Sequence, residues 1–400
     1  MAFCALAVNI LKYVYMAVMA VFGISNQPLI MHAVFALLGV SCMFIYFEKS
    51  LVKSRIIARE VFQIFAVLLF LVFFVAIPCG KYGILKSNYL GMLLTLGSGS
   101  IPAYLMGILI RKKDKIDEMG KWVPAFAVIL AVAGFMVAIN PSTATSGGYV
   151  MDDSGFDYQA LSYAASYGFG LLVYYMKQRS TIPEFNMFKK PIWTKIFYMC
   201  MVLQVITVVL AGGRGGFLVT VIFALYYILL NSKNSLDAIR KIILLVLAMF
   251  ALFALAQYLD IATAGYERIL NSIQSGGGDS ERDILFDKAI EIGNENVVLG
   301  TGIGTVFYEV GIYSHNIFSD MYCETGLIGL SAFILFLITF FIKLHKLIKI
   351  NPHNRLVLIL FLCGFIMLLY SNYYPAVPFI WFAFGYVFSE KFPKNEVDEF

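Results

Sequence analysis

A chain of 400 residues that is 60% hydrophobic and 14% charged, with a mean hydropathy of +0.81, cannot hide its apolar surface inside one water-facing globule. Lipid must solvate most of it. Six cysteines without CxxC spacing exclude a disulfide framework, and four histidines leave no multi-histidine metal centre to expect.

Apolar runs of spanning length fall near 3–22, 28–46, 57–77, 90–110, 122–139, 158–176, 193–210, 214–230, 241–258, 325–342, 355–371 and 377–389. They predict an all-α, polytopic fold of about twelve transmembrane helices. The first run lacks a basic leader segment and reads as a spanning helix. Three parts follow: helices one to nine over 1–256, with an Arg-Gly element at 212–216; a loop over 257–324 carrying short amphipathic helices; and the last three helices with a tail over 325–400.

Orientation comes from the basic residues. Alternate loops from 47–60 to the C-terminal tail hold 23 of the 30, whereas the other set holds six: Lys81, Lys86, Arg214, Arg268, Arg282 and Lys288. The rich side is cytoplasmic, which puts both termini inside and the 257–324 loop outside. The basic run at Arg111–Lys115 reads as an anchor beside anionic lipid, and no nucleic-acid partner is expected. An arginine on the disfavoured outer side invites a functional explanation.

The first such arginine lies in Gly212-Gly213-Arg214-Gly215-Gly216. A tight turn with a snorkelling arginine would explain it. So would an anion site, with backbone N–H groups exposed at Gly213 and Gly215 and a guanidinium fork for phosphate. The second is Arg282, in the first turn of a helical pattern running through Gly293. Ser280 and Asp283 have capping-box spacing there. Ile284, Leu285, Ala289 and Ile292 form one side of that pattern, opposite Asp283, Asp287 and Glu291, which suits a helix on the membrane surface. The helix dipole disfavours a cation in its first turn, and a bound phosphate would resolve the conflict.

Tyr313-Ser314-His315-Asn316 holds the one histidine placed in an outer loop, followed by Glu324-Thr325-Gly326 and Gly329. A structural histidine and a functional one both fit that spacing. Tyr258, Tyr266, Tyr308, Tyr313, Tyr373 and Tyr374 could stack on sugar rings or form an interfacial belt. Gly300-Thr301-Gly302-Ile303-Gly304 looks like a nucleotide-loop fragment, but it lacks a βαβ context.

In this order these elements resemble the bacterial O-antigen ligase and O-antigen polymerase superfamily, over roughly 195–345. That family's His-Asn, nine residues, Gly-x-x-Gly pattern is met by His315, Asn316, Gly326 and Gly329. Its Arg-Gly element is met by Arg214 and Gly215. Its arginine, ten residues, glycine pattern is met by Arg282 and Gly293, with Leu299 to Gly304 following. The resemblance implies a GT-C-like glycosyltransferase in the bacterial inner membrane with its site facing the periplasm. It would use an undecaprenyl-pyrophosphate-linked oligosaccharide, invert the anomeric centre and need neither metal nor cofactor.

On this reading Arg214 and Arg282 hold the pyrophosphate and His315 serves the incoming hydroxyl. Gly213, Gly215, Tyr313, Asn316 and Glu324 line the substrate, Glu324 being the next choice of base. The chemistry agrees independently: a departing pyrophosphate needs positive charge in a sheltered site, and a neutral imidazole suits general-base work. The expected activity is a polymerase acting on lipid-linked repeat units, with membrane lipids, a chain-length regulator and a flippase as partners. The glycine-rich arginine element and the modest loop favour it over the alternative, a ligase that passes the glycan to lipid A core. A lipid-linked-oligosaccharide transporter would show repeated halves with ionisable residues at the membrane midplane, which the sequence lacks.

Overall fold

The computed structural model describes residues 1–22, 28–50, 96–139, 158–258 and 281–389. The expected span at 57–77, the start of the one at 90–110, Arg268, Tyr266 and the Ser280 half of the capping box lie outside them. Within them every regular element is a helix.

In chain order these are α1 (Ala2–Val21), α2 (Pro28–Ser50), α3 (Ile101–Lys112), α4 (Ile116–Gly120), α5 (Val123–Ala138), α6 (Tyr158–Gln178), α7 (Pro191–Ala211) and α8 (Arg214–Asn231). Then come α9 (Ser235–Tyr258), α10 (Glu281–Gly293), α11 (Thr305–Val310), α12 (Ile317–Ile350), α13 (Arg355–Tyr370) and α14 (Pro378–Phe388). Among the described residues, six segments are long and apolar enough to cross a membrane: Ala2–Val21, Ile116–Ala138, Pro191–Ala211, Arg214–Asn231, Ile317–Ile350 and Pro352–Tyr370. The chain is therefore a membrane protein. The run expected to begin at 325 begins, as a helix, at Ile317.

The bundle is organised around α6. Its composition is unusually polar for a membrane helix, and nearly all of it is buried, Ser162, Ser166, Tyr167, Tyr174 and Tyr175 included. Hydroxyls are tolerated there because each finds a protein partner. Ser166 Oγ lies 2.6 Å from the carbonyls of both Ser162 and Gly216, and Thr220 Oγ1 of α8 lies 3.1 Å from Ser166 Oγ. Small residues let the neighbours come close. Gly168 makes room for Gln204 of α7, whose amide donates to the Ala127 carbonyl of α5 at 2.9 Å, and Gly170 makes room for the Phe223 ring of α8.

At the other side of the bundle α3 and α14 are in backbone contact. A Cβ on Gly107 would strike the Phe382 carbonyl, and one on Gly385 the Tyr104 carbonyl. Outward faces are apolar: Ile192, Met199 and Val202 on α7, Leu244, Leu247 and Phe250 on α9, and Leu335, Ile338 and Ile342 on α12 are all exposed. In water such a surface would aggregate; against acyl chains it is solvated.

Candidate active site

Helix α7 stops at Gly212, whose φ of 67° only glycine adopts readily, with its N–H returned to the Val208 carbonyl at 3.1 Å. Gly213 is then the N-cap of α8, and it offers no side-chain cap. The first N–H groups of α8 are thus left without the usual capping oxygen, and Arg214 stands exposed at that end. Positive backbone charge and a guanidinium converge there, as an anion requires.

The glycines around Arg214 also have a packing task. A Cβ on Gly213 would lie 2.6 Å from Ser162 Cβ, one on Gly215 would run into the Tyr163 hydroxyl, and one on Gly216 into Ser162 Oγ. Ser162 Oγ donates to the Gly213 carbonyl at 3.0 Å. The side of this turn that lacks Cβ atoms is therefore filled by α6.

Arg282 sits half-buried in the first turn of α10. Leu285, Ala289 and Ile292 turn towards the protein while Asp283, Asp287 and Glu291 are exposed, the division expected from the sequence. Ile284 departs from it, being exposed as well. Ala289 packs with Val306 of α11 and Cys323 of α12. Gly293, separated from Arg282 by ten residues, has a physical reason: a Cβ there would lie 2.8 Å from the Tyr322 ring and 3.1 Å from Cys323 Cα. The glycine lets α10 lie directly on α12, and Tyr322 Oη donates to Asn294 Oδ1 at 2.6 Å beside it.

His315 has a φ of 64°, in the left-handed region that L side chains seldom occupy. Its neighbours impose it. Ser314 N–H donates to Asp320 Oδ1 at 3.1 Å, and Ser314 Oγ lies 2.6 Å from Ser319 Oγ and 3.0 Å from the Asn316 carbonyl. Asn316 caps α12, its Oδ1 accepting from Phe318 N–H at 2.9 Å. A loop pinned at Ser314 and a helix start pinned at Asn316 leave His315 to absorb the turn. Such strain concentrates at functional positions.

The Tyr313 ring lies 4.4 Å from the His315 ring, centroid to centroid. Nδ1 of His315 is buried and has no hydrogen-bond partner among the described residues. Burial first and the Arg282 charge second hold the imidazole pKa down to about 4, against the opposing effect of a hydrogen bond to the Tyr370 backbone. The ring is neutral at pH 7, and Arg282 is close enough to act on it. The two residues singled out separately in the sequence share one electrostatic environment.

Glu324 is placed differently from the expectation that it touches substrate. It is fully buried; Oε1 accepts from Tyr373 Oη and from Gly304 N–H at 2.8 Å, and Oε2 from Tyr374 Oη at 3.0 Å. Both oxygens are occupied by the fold, and so are those two tyrosines, which are buried rather than open for sugars. Tyr308 is buried too, whereas Tyr258 is 86% exposed.

Beside this clasp α12 breaks. Gly326 takes φ 64° and ψ −168°, a region essentially reserved for glycine. The loop before α11 repairs the break. Carbonyls of Cys323 and Glu324 accept from Thr301 N–H at 2.9 Å and Gly302 N–H at 3.0 Å. Beyond the break, Leu327 N–H and Ile328 N–H donate to the Val297 and Val298 carbonyls at 2.8 and 3.3 Å. The left-handed glycines at 300, 302 and 304 shape this loop, so the nucleotide-like wording serves a helix break. Gly329 accommodates the Thr325 side chain one turn on, which accounts for the second glycine of the pair.

Sequence reasoning missed the residues that join the pieces. Tyr163 Oη, packed on Gly215, lies 2.6 Å from Ser371 Oγ, and the Ser371 carbonyl accepts from Tyr313 Oη. A continuous path therefore runs from the Arg214 turn through Tyr163, Ser371 and Tyr313 to His315. Within two turns of Arg214 along α8, Phe217 and Thr220 help line an apolar cavity of about 240 Å³, with Phe169, Val208, Tyr227 and Leu245.

Compared with known proteins, residues 199–334 match the family described as O-antigen ligase, about a third of the chain. No curated protein and no solved structure matches it. The matched segment contains Arg214, Arg282, His315 and Gly326, all of α8 and the C-terminal part of α7. Over this segment the chain is similar to the O-antigen ligase family, the resemblance expected from its sequence.

Proposed function

We propose that the protein is a glycosyltransferase of the bacterial inner membrane that moves a glycan from undecaprenyl pyrophosphate onto a lipid-linked repeat unit at the periplasmic face. The observation that carries this reading is the charge of Arg282 acting on a half-buried, neutral His315, tied through Tyr313, Ser371 and Tyr163 to the uncapped helix end at Arg214. The apolar cavity next to that helix end suits a polyprenyl chain. The basic residues left on the opposite side support the orientation.

In this mechanism the pyrophosphate of the donor lies between the α8 N-terminus with Arg214 and the guanidinium of Arg282. An acceptor sugar hydroxyl attacks the anomeric carbon opposite the phosphate oxygen. The new glycosidic bond forms as the carbon–phosphate-oxygen bond breaks, and polyprenyl pyrophosphate leaves with the electron pair. The hydroxyl proton passes to His315. An imidazole with a pKa near 4 is a weak base, but a bound pyrophosphate screens Arg282 and adds negative charge. Base strength is thus gained when the donor is in place.

A second reading, transfer to lipid A core, is favoured by the description of the matching family. Deleting the gene separates the two. A polymerase defect leaves lipid A core bearing single repeat units. Long glycans stranded on the polyprenyl carrier would overturn the first reading in favour of the second.

A further inference from the structure

Three consecutive aliphatic residues, Val297, Val298 and Leu299, are 40%, 56% and 55% exposed at the tip of the loop that repairs the α12 break. Their neighbours across the break, Leu327 and Ile328, are 49% and 59% exposed. Loop side chains of this kind ordinarily fold inward, but the backbone here cannot turn. Val297 and Val298 spend their carbonyls on Leu327 and Ile328, the Gly300 N–H is bound to the Asn296 carbonyl at 2.7 Å, and a Cβ on Gly326 would lie 2.6 Å from Gly300 N. The apolar tip is locked facing outward.

What lies along it is the outer stripe of α12. Leu327, Ile328, Leu335, Ile338 and Ile342 are exposed at helical spacing on a segment apolar enough to cross a membrane. On α10, which packs on α12, Ile284 is 53% exposed, and the acidic residues Asp287, Glu291 and Glu295 are exposed as well. From this continuity we infer that the Val297–Leu299 tip is a wedge inserted into the bilayer at the head of the α12 stripe, with lipid acyl chains as its partner. Because α10 is seated on α12 through Gly293, the wedge also fixes the height of Arg282 relative to the headgroups. A site for a lipid-borne phosphate needs that registration. The insertion itself does not depend on the glycosyl-transfer reading.

Tryptophan placed on the tip tests it. Leu299→Trp and Val298→Trp proteins are reconstituted in vesicles of dioleoyl phosphatidylcholine and of its dibrominated counterpart, and wild-type emission is subtracted. Brominated lipid should remove about half or more of the added emission, and aqueous iodide very little. Glu295→Trp, three residues earlier on the exposed polar side, should give the reverse. Iodide quenching at 298 and 299 would overturn the proposal. So would protection from both quenchers together with crosslinked dimers, which would mean that a second copy covers the tip.

Discussion

The Tyr163 hydroxyl and Ser371 Oγ lie 2.6 Å apart, although 208 residues separate them. Tyr163 fills the space left by Gly215 beside Arg214, and the Ser371 carbonyl holds Tyr313 against His315. One hydrogen bond therefore joins the two halves of the candidate site. An interhelical hydrogen bond in a membrane contributes only about 0.6 kcal/mol on average, whereas a misplacement of about 1 Å can cost roughly a hundredfold in rate.

Ser371→Ala should consequently reduce kcat by about ten- to a hundredfold while donor KM and membrane abundance change little. Ser371→Thr, which keeps the hydroxyl, should restore most of it. An alanine variant with wild-type kcat would mean that the contact carries no positioning.

The break in α12 makes a different demand. Gly326→Ala must place a Cβ against the Val298 carbonyl at a backbone geometry costing about 1–3 kcal/mol on its own. Loss of folded protein from the membrane is expected. Gly311 has a φ of 87° with nothing within 4 Å of a Cβ, so Gly311→Ala carries only the left-handed cost of about 1–2 kcal/mol. Thermal unfolding in detergent should rank the two variants in that order, and equal stabilities would contradict the interlock of Gly326 with the 297–300 loop.

Proton linkage at His315 gives a third prediction. Its folded pKa of about 4 lies below the unfolded value near 6.5, so above pH 6.5 both states carry a neutral ring. As pH falls towards 4 the unfolded chain takes the proton first, and stability declines across that window. In kinetics, kcat/KM reports the free enzyme and should keep its activity down to an acid limb near 4, while the limb for kcat should lie higher because the donor's phosphates raise the base. Arg282→Gln removes a charge that lowers this pKa and should move the kcat/KM limb upward. A limb unmoved by that substitution would show that Arg282 does not act on His315.

Much of the candidate site is legible in the sequence because the loops expected on the outer side hold few cations. Arg214 and Arg282 stand out against the charge bias, and the runs at 193–210 and 214–230 correspond closely to Pro191–Ala211 and Arg214–Asn231. Less legible is what depends on distant partners. The serines and tyrosines of α6 weaken its hydropathy, and nothing local says that Tyr163 meets Ser371. Glu324 looks available to substrate until Tyr373, Tyr374 and Gly304 are found around it. Glycine pairs read as a family pattern acquire physical reasons only when the 297–304 loop is seen filling the break at Gly326.

The central claim is that His315 accepts the proton while the arginines hold the pyrophosphate. His315→Asn is the most direct probe, because asparagine tolerates the left-handed backbone at this position and keeps a polar side chain but cannot take a proton at neutral pH. Single-turnover transfer from purified lipid-linked donor to lipid-linked acceptor should fall by about a hundred- to ten-thousandfold, with donor binding nearly unchanged. Transfer by the asparagine variant within a few-fold of wild type would contradict the account, leaving His315 as a residue that only positions the acceptor.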